Sequence, residues 1–142
     1  MGIFLPHGGF DDKNGEYVDR KMKKLTLKDV DIEGTWLLVR VDYNVPLDNE
    51  GNITDDKRIK ASLPTVEYAV NEGARVVLMS HLGRPGGKRD ERLSLKPVAV
   101  RLSNLLKSRH VGFATDCVGE EVEEQVKSLG KGSVLVLENL RF

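Results

Sequence analysis

Four short runs of apolar residues constrain this chain more than any other feature. They are Thr35-Trp36-Leu37-Leu38-Val39-Arg40-Val41-Asp42, Arg75-Val76-Val77-Leu78-Met79-Ser80, the weaker stretch His110 to Thr115, and Ser133-Val134-Leu135-Val136-Leu137-Glu138. Their apolar residues are consecutive rather than alternating, which is the pattern of a strand buried on both faces. Amphipathic helical stretches separate them. From about Asp56 to Asn71, Ile59, Leu63, Val66 and Val70 recur at helical spacing. Pro64 predicts a kink there, or the first turn of a second piece, and Gly73 ends the stretch. Ser94 predicts a cap for the next helix, with Pro97 in its first turn and Val98, Leu102, Leu105 and Leu106 on its buried face. A third helix carries Val118, Val122, Val126 and Leu129 on one side and Glu120 and Glu121 at its positive end. Strands alternating with helices imply an α/β fold, a parallel sheet with flanking helices.

The remaining composition mostly excludes. With 22 Lys+Arg against 22 Asp+Glu, the formal net charge is zero, so a bulk nucleic-acid binder is not expected. Cys117 is the single cysteine, which rules out an internal disulfide and a cysteine metal site; a small buried residue is its simplest reading. His7, His81 and His110 have no metal-ligand spacing. No stretch approaches the roughly 20 apolar residues of a membrane span, and the first residues do not read as a secretory signal. A cytoplasmic protein is the default expectation. Residues 1–21 read as a Gly-rich polar extension, and the domain is expected over 22–142. The chain stops at Phe142, just past a strand, which predicts that it is a piece of something longer.

In open parallel sheets, ligands bind beyond the carboxyl ends of the strands. The first run ends with Arg40, Asp42 and Asn44, which share one face at a spacing of two. The second ends at Ser80 and enters His81-Leu82-Gly83-Arg84-Pro85, the third reaches Asp116, and the fourth leads through Glu138 and Asn139 to Arg141. Arg58 starts the first helix. Cationic donors thus converge on one rim, an arrangement suited to a compact phosphate- or carboxylate-bearing anion. Each residue also has a plain reading. Arg40 could pair with a buried glutamate, and Arg58 with Asp55 or Asp56; Asp42 and Asn44 could be turn residues, His81 structural, and Arg84, Arg141 and Lys88 to Arg92 solvated. No Gly-rich nucleotide loop and no nucleophile elbow is present.

The segments Arg40-Val41-Asp42-Tyr43-Asn44-Val45-Pro46, Arg58 to Thr65, Ser80-His81-Leu82-Gly83-Arg84-Pro85, Asp116-Cys117-Val118-Gly119 and Leu137 to Phe142 resemble phosphoglycerate kinases. Tyr43 departs from that family, which usually has Phe there. The resemblance implies the first part of the N-terminal domain of a two-domain kinase, a three-layer, Rossmann-like sandwich. It also implies phosphoryl transfer from 1,3-bisphosphoglycerate to Mg2+-ADP, giving 3-phosphoglycerate and ATP. By motif, Asp42 and Asn44 would hold the glycerate. Arg40, His81, Arg84 and Arg141 would hold the phosphate that stays, with Ser80, Leu82 and Gly83 in the same binding loop. Arg58 would face the phosphoryl group in flight as the catalytic residue. Mg2+ with ADP or ATP would be bound by a second domain outside this chain, and the family's monomeric state is expected. The alternative is a non-catalytic anion-binding or interaction module derived from the same domain.

Overall fold

The computed structural model describes residues 24–107 and 109–142; the extension expected over 1–21 lies outside these. The chain divides into two units, residues 1–31 and 32–142. In the first, Leu27–Asp29 forms a single 3-10 turn, with the Asp29 carboxylate accepting from the N–H and the hydroxyl of Thr26, both at 2.7 Å.

The second unit contains the sheet. Strands β1 (Trp36–Arg40), β2 (Arg75–Met79), β3 (Val111–Phe113) and β4 (Val134–Val136) pair in the order β1-β2-β4-β3, all parallel. Helices α1 (Lys57–Asn71), α2 (Lys96–Leu106) and α3 (Glu120–Ser128) connect them in turn. The chain steps outward from β1 to β2 to β3, then turns back to insert β4. Strands β3 and β4 are shorter than the apolar runs suggested, although single backbone bonds continue past them, from the Ala114 N–H to the Val136 carbonyl and from the Leu137 N–H to the Leu78 carbonyl, and the chain after β4 stays buried through Asn139.

One sheet face packs under α1 and α2, which touch each other. Ile59, Val66, Val98 and Leu102 are buried there with Val76, Leu78, Val134 and Val136. On the other face, Val122 and Leu129 of the α3 segment pack on Val77, Ala114, Leu135 and Leu137. The expectation of a fully buried first strand fails at β1. Trp36 and Leu38 are 54% and 52% exposed, because β1 is an edge strand in this sheet and α3 covers its neighbours instead. The Trp36 indole N–H still finds a partner in the Val126 carbonyl at 3.0 Å.

Two helix expectations also change. Pro64 neither ends nor splits α1, which runs unbroken from Lys57 to Asn71. Proline removes the bond to the Lys60 carbonyl, but both residues are exposed, so water can replace it. Ser94 lies two residues before α2, with Leu95 in the capping position. Its hydroxyl accepts from the Lys96 N–H at 3.2 Å and donates to Glu138 at 2.8 Å. Gly73, at φ 78, makes the turn from α1 into β2 in a conformation that favours glycine.

Candidate functional site

Because all four strands run the same way, their carboxyl ends share one rim. Beyond β1 the chain turns through Asp42, whose carboxylate accepts from the Asn44 N–H at 3.2 Å. Arg58, in the first turn of α1, donates from Nη1 to Asp42 Oδ2 at 2.5 Å. The rival partners are occupied elsewhere: Asp55 pairs with Lys57, and Asp56 with Lys60 and Arg101. Burial alone would raise the Asp42 carboxyl, but the Arg58 hydrogen bond, the Asn44 N–H and the charges of Arg58 and His81 hold it below the usual carboxylate range.

His81 follows β2 and senses the same group of charges. Partial burial pushes its imidazole below the ordinary value, and the positive fields of Arg141, Arg40 and Arg58 push the same way, against Asp42. Residues from two other strand ends and the start of α1 therefore act on one ring. Arg40 and Arg84 are exposed and carry no carboxylate partner among the described residues, so the buried-glutamate reading of Arg40 does not apply. Arg84 is not among the charges that act on His81 or Asp42.

The structure does not bring every expected residue to the surface. Ser80 is 1% exposed, and its hydroxyl is engaged internally, accepting from the Tyr43 N–H at 2.9 Å and donating to the His81 carbonyl at 3.2 Å. Leu82 is also buried, with its N–H and C=O both bonded to Asn139. Gly83 offers no free peptide either. Its N–H donates to Asn44 Oδ1 at 2.9 Å, and its C=O accepts from Arg141 Nη1 at 2.8 Å. Gly83 adopts φ 61, and a Cβ there would lie 2.7 Å from Leu93 Cδ2, so the loop closes only around glycine.

Sequence reasoning left three residues without a role. Glu138, 2% exposed, accepts from the Ser94 hydroxyl at 2.8 Å, the Leu95 N–H at 2.9 Å and the Asn139 N–H at 2.8 Å. Asn139, fully buried, bonds the loop after β2. Arg89, expected to be solvated, reaches the Thr115 carbonyl at 2.5 Å and stacks over Phe142 at 5.3 Å. The Glu-Asn pair directly after an apolar strand was the available signal, since polar groups there must find partners. Tyr43 is buried too; its phenol, pushed up to about 12 mainly by burial, shares a 2.8 Å hydrogen bond with Ser62.

Comparison with known proteins decides the family. A family model described as "Phosphoglycerate kinase" matches residues 27–142. The chain belongs to this family. It is 60% identical over 121 residues to the phosphoglycerate kinase of Aquifex aeolicus, covering 85% of this chain and 30% of that protein. The Chlorobium chlorochromatii phosphoglycerate kinase is 57% identical over the same shares. Among solved structures, the phosphoglycerate kinase of Coxiella burnetii superposes with a TM-score of 0.70 at 36% identity, covering 83% of this chain and 28% of that one. The Pyrococcus horikoshii enzyme gives 0.69 at 38% identity, covering 82% and 28%. The chain thus spans about 30% of the length of the curated phosphoglycerate kinases it matches, and it shares their α/β fold over that part.

A cleft of about 1170 Å³ beside α1 and α2 contains none of the strand-end residues. Its charges are largely neutralised by their own neighbours, as in the Asp56, Lys60 and Arg101 group. The strand-end rim differs in that Arg40 and Arg84 have no carboxylate partner there among the described residues. Among the described residues, no group of three or more His, Cys, Asp or Glu is placed to hold a metal ion.

Proposed function

We propose that this chain forms the phosphoglycerate-binding part of a phosphoglycerate kinase, which moves a phosphoryl group between 1,3-bisphosphoglycerate and ADP to give 3-phosphoglycerate and ATP. The observation that carries this reading is the bond of Arg58 to Asp42 together with the gathering of the Arg40, Arg58 and Arg141 charges around His81 at the strand ends. Phosphoryl transfer needs positioning and charge neutralisation rather than a covalent nucleophile, and this rim offers cations and hydrogen-bonding groups.

In this reading Arg40, His81, Arg84 and Arg141 hold the phosphate that is not transferred. Asp42 accepts from the glycerate hydroxyl, and Asn44 adds its side-chain amide while its Oδ1 steadies Gly83. Ser80, Leu82 and Gly83 set the path of the loop. Arg58 stands where it can leave Asp42 for the migrating phosphoryl group. Mg2+-ADP or Mg2+-ATP is assigned to a second domain outside this chain. The enzyme is placed in the cytoplasm as a monomer acting on small molecules, without a nucleic-acid or membrane partner. The zero formal charge weighs against a nucleic-acid partner, and no helix among the described residues is long and apolar enough to cross a membrane.

His81 reports directly on the proposal. In the free protein burial and the arginine fields favour its neutral form, so it is expected to titrate below 6.5. A phosphate group beside it reverses the local field and favours the imidazolium. Binding should then take up a proton, and affinity should rise as pH falls through the bound-state midpoint towards the free-state midpoint below 6.5. Following the His81 ring proton by NMR, with and without saturating 3-phosphoglycerate, checks this. An upward move of the titration midpoint is expected; a midpoint that does not move would remove His81 from the phosphate site.

A further inference from the structure

We propose that Asn139 is a positioning residue that sets the affinity of the strand-end site for a phosphate-bearing anion, by holding the His81–Arg84 loop and Arg141 in one frame. The proposal rests on the phosphoglycerate reading of the site and names a residue that this reading does not use.

A primary amide has two donor hydrogens and two acceptor lone pairs. At Asn139 all four are engaged. Oδ1 accepts from the Leu82 N–H at 3.3 Å and the Arg141 N–H at 3.1 Å. Nδ2 donates to the Leu82 carbonyl at 2.7 Å and the Leu93 carbonyl at 2.9 Å. The side chain is fully buried, so it has neither a free group nor a path to a ligand. Its effect must pass through the groups it holds.

Those groups are the site itself. Leu82 lies between His81 and Gly83, and the Arg141 guanidinium bonds the Gly83 carbonyl while Asn44 takes the Gly83 N–H. Asn139, Leu82, Gly83 and Arg141 therefore form a closed ring of backbone and side-chain bonds, with Asn44 attached from the segment after β1. The Leu93 bond ties down the far end of the same loop. A loop fixed before its ligand arrives loses less conformational freedom on binding, and that difference appears as affinity.

Asn139→Asp keeps the shape and the acceptor but replaces both donors, so the Leu82 and Leu93 carbonyls would face an oxygen. The binding of 3-phosphoglycerate to the 142-residue chain, followed by calorimetry at pH 7, is expected to weaken at least tenfold, with the stoichiometry retained. Amide exchange at Leu82, Gly83 and Arg141 should accelerate at least tenfold while β2 and β4 stay protected. A merely structural role would lower the folded fraction and hence the stoichiometry, without changing the affinity of the folded molecules. If Asn139→Asp does not fold, Asn139→Ser, which leaves room for water, takes its place with the same expected results. Binding within twofold of the parent, or unchanged loop exchange, would overturn the proposal. Failure of the parent itself to bind 3-phosphoglycerate would overturn the phosphoglycerate reading and the affinity claim together. In that case accelerated exchange would still support the clamp as a structural element, and unchanged exchange would overturn that too.

Discussion

Arg58→Ala is expected to lower turnover about a thousandfold while changing the Michaelis constant for 3-phosphoglycerate much less. The setting is a chimera in which residues 27–142 replace the matching segment of the Aquifex aeolicus phosphoglycerate kinase. Charge spread over the equatorial oxygens of a phosphoryl group in flight is greatest in the transition state, and a guanidinium aimed there acts mainly at that point. The purely structural view gives a different magnitude. Arg58 and Asp42 are both about half exposed, at 51% and 60%, and such a pair is worth about 0–1 kcal/mol. A thousandfold loss corresponds to about 4 kcal/mol of barrier, well beyond that. Arg84→Ala is expected to show the opposite pattern, a raised Michaelis constant with turnover little changed, because an anchoring contact is made in ground and transition states alike. Arg58→Lys should restore only part of the rate, since a point charge lacks the two-pronged donor geometry. Near-normal turnover in a folded Arg58→Ala chimera would leave Arg58 as a surface ion pair.

Glu138→Ala is expected to destabilise the chain by about 3 kcal/mol, read as a lower urea midpoint by circular dichroism. The carboxylate satisfies the Ser94 hydroxyl and the N–H groups of Leu95 and Asn139, and its removal would strand them in a buried place. The Arg89 contact, at 3.8 Å and partly exposed, contributes less. Glu138→Gln keeps one oxygen for the two N–H groups, and the Ser94 hydroxyl can turn to accept, so a cost of about 1 kcal/mol is expected. A change of under about 0.5 kcal/mol for Glu138→Ala, the size usual for unremarkable surface positions, would contradict this role.

The sheet was legible in the sequence because consecutive apolar residues between helical stretches have few other solutions. Strand order was not legible. The exposure of Trp36 and Leu38 follows from β1 lying at an edge of this sheet, which no local pattern in that run encodes. Pro64 does not open a second piece of helix for a related reason: the lost hydrogen bond falls on the exposed side of α1, where water makes it inexpensive. At the site, the residues with formal charge could be found by counting positions past each strand. The burial of Ser80 and Leu82 was not legible, because it comes with bonds to Tyr43 and Asn139 that are distant in sequence. Asn139 escaped for the same reason; an amide announces its partners only once the chain has folded.

The central claim is that these residues supply the phosphoglycerate half of a kinase site. The most direct test is ATP formation from 1,3-bisphosphoglycerate and ADP by the unmodified chimera, with ADP binding measured alongside to show that the other part of the protein is intact. Saturable turnover within about tenfold of the Aquifex aeolicus parent is expected, a difference of about 1.4 kcal/mol in barrier. A folded chimera that binds ADP but forms no ATP would contradict the claim.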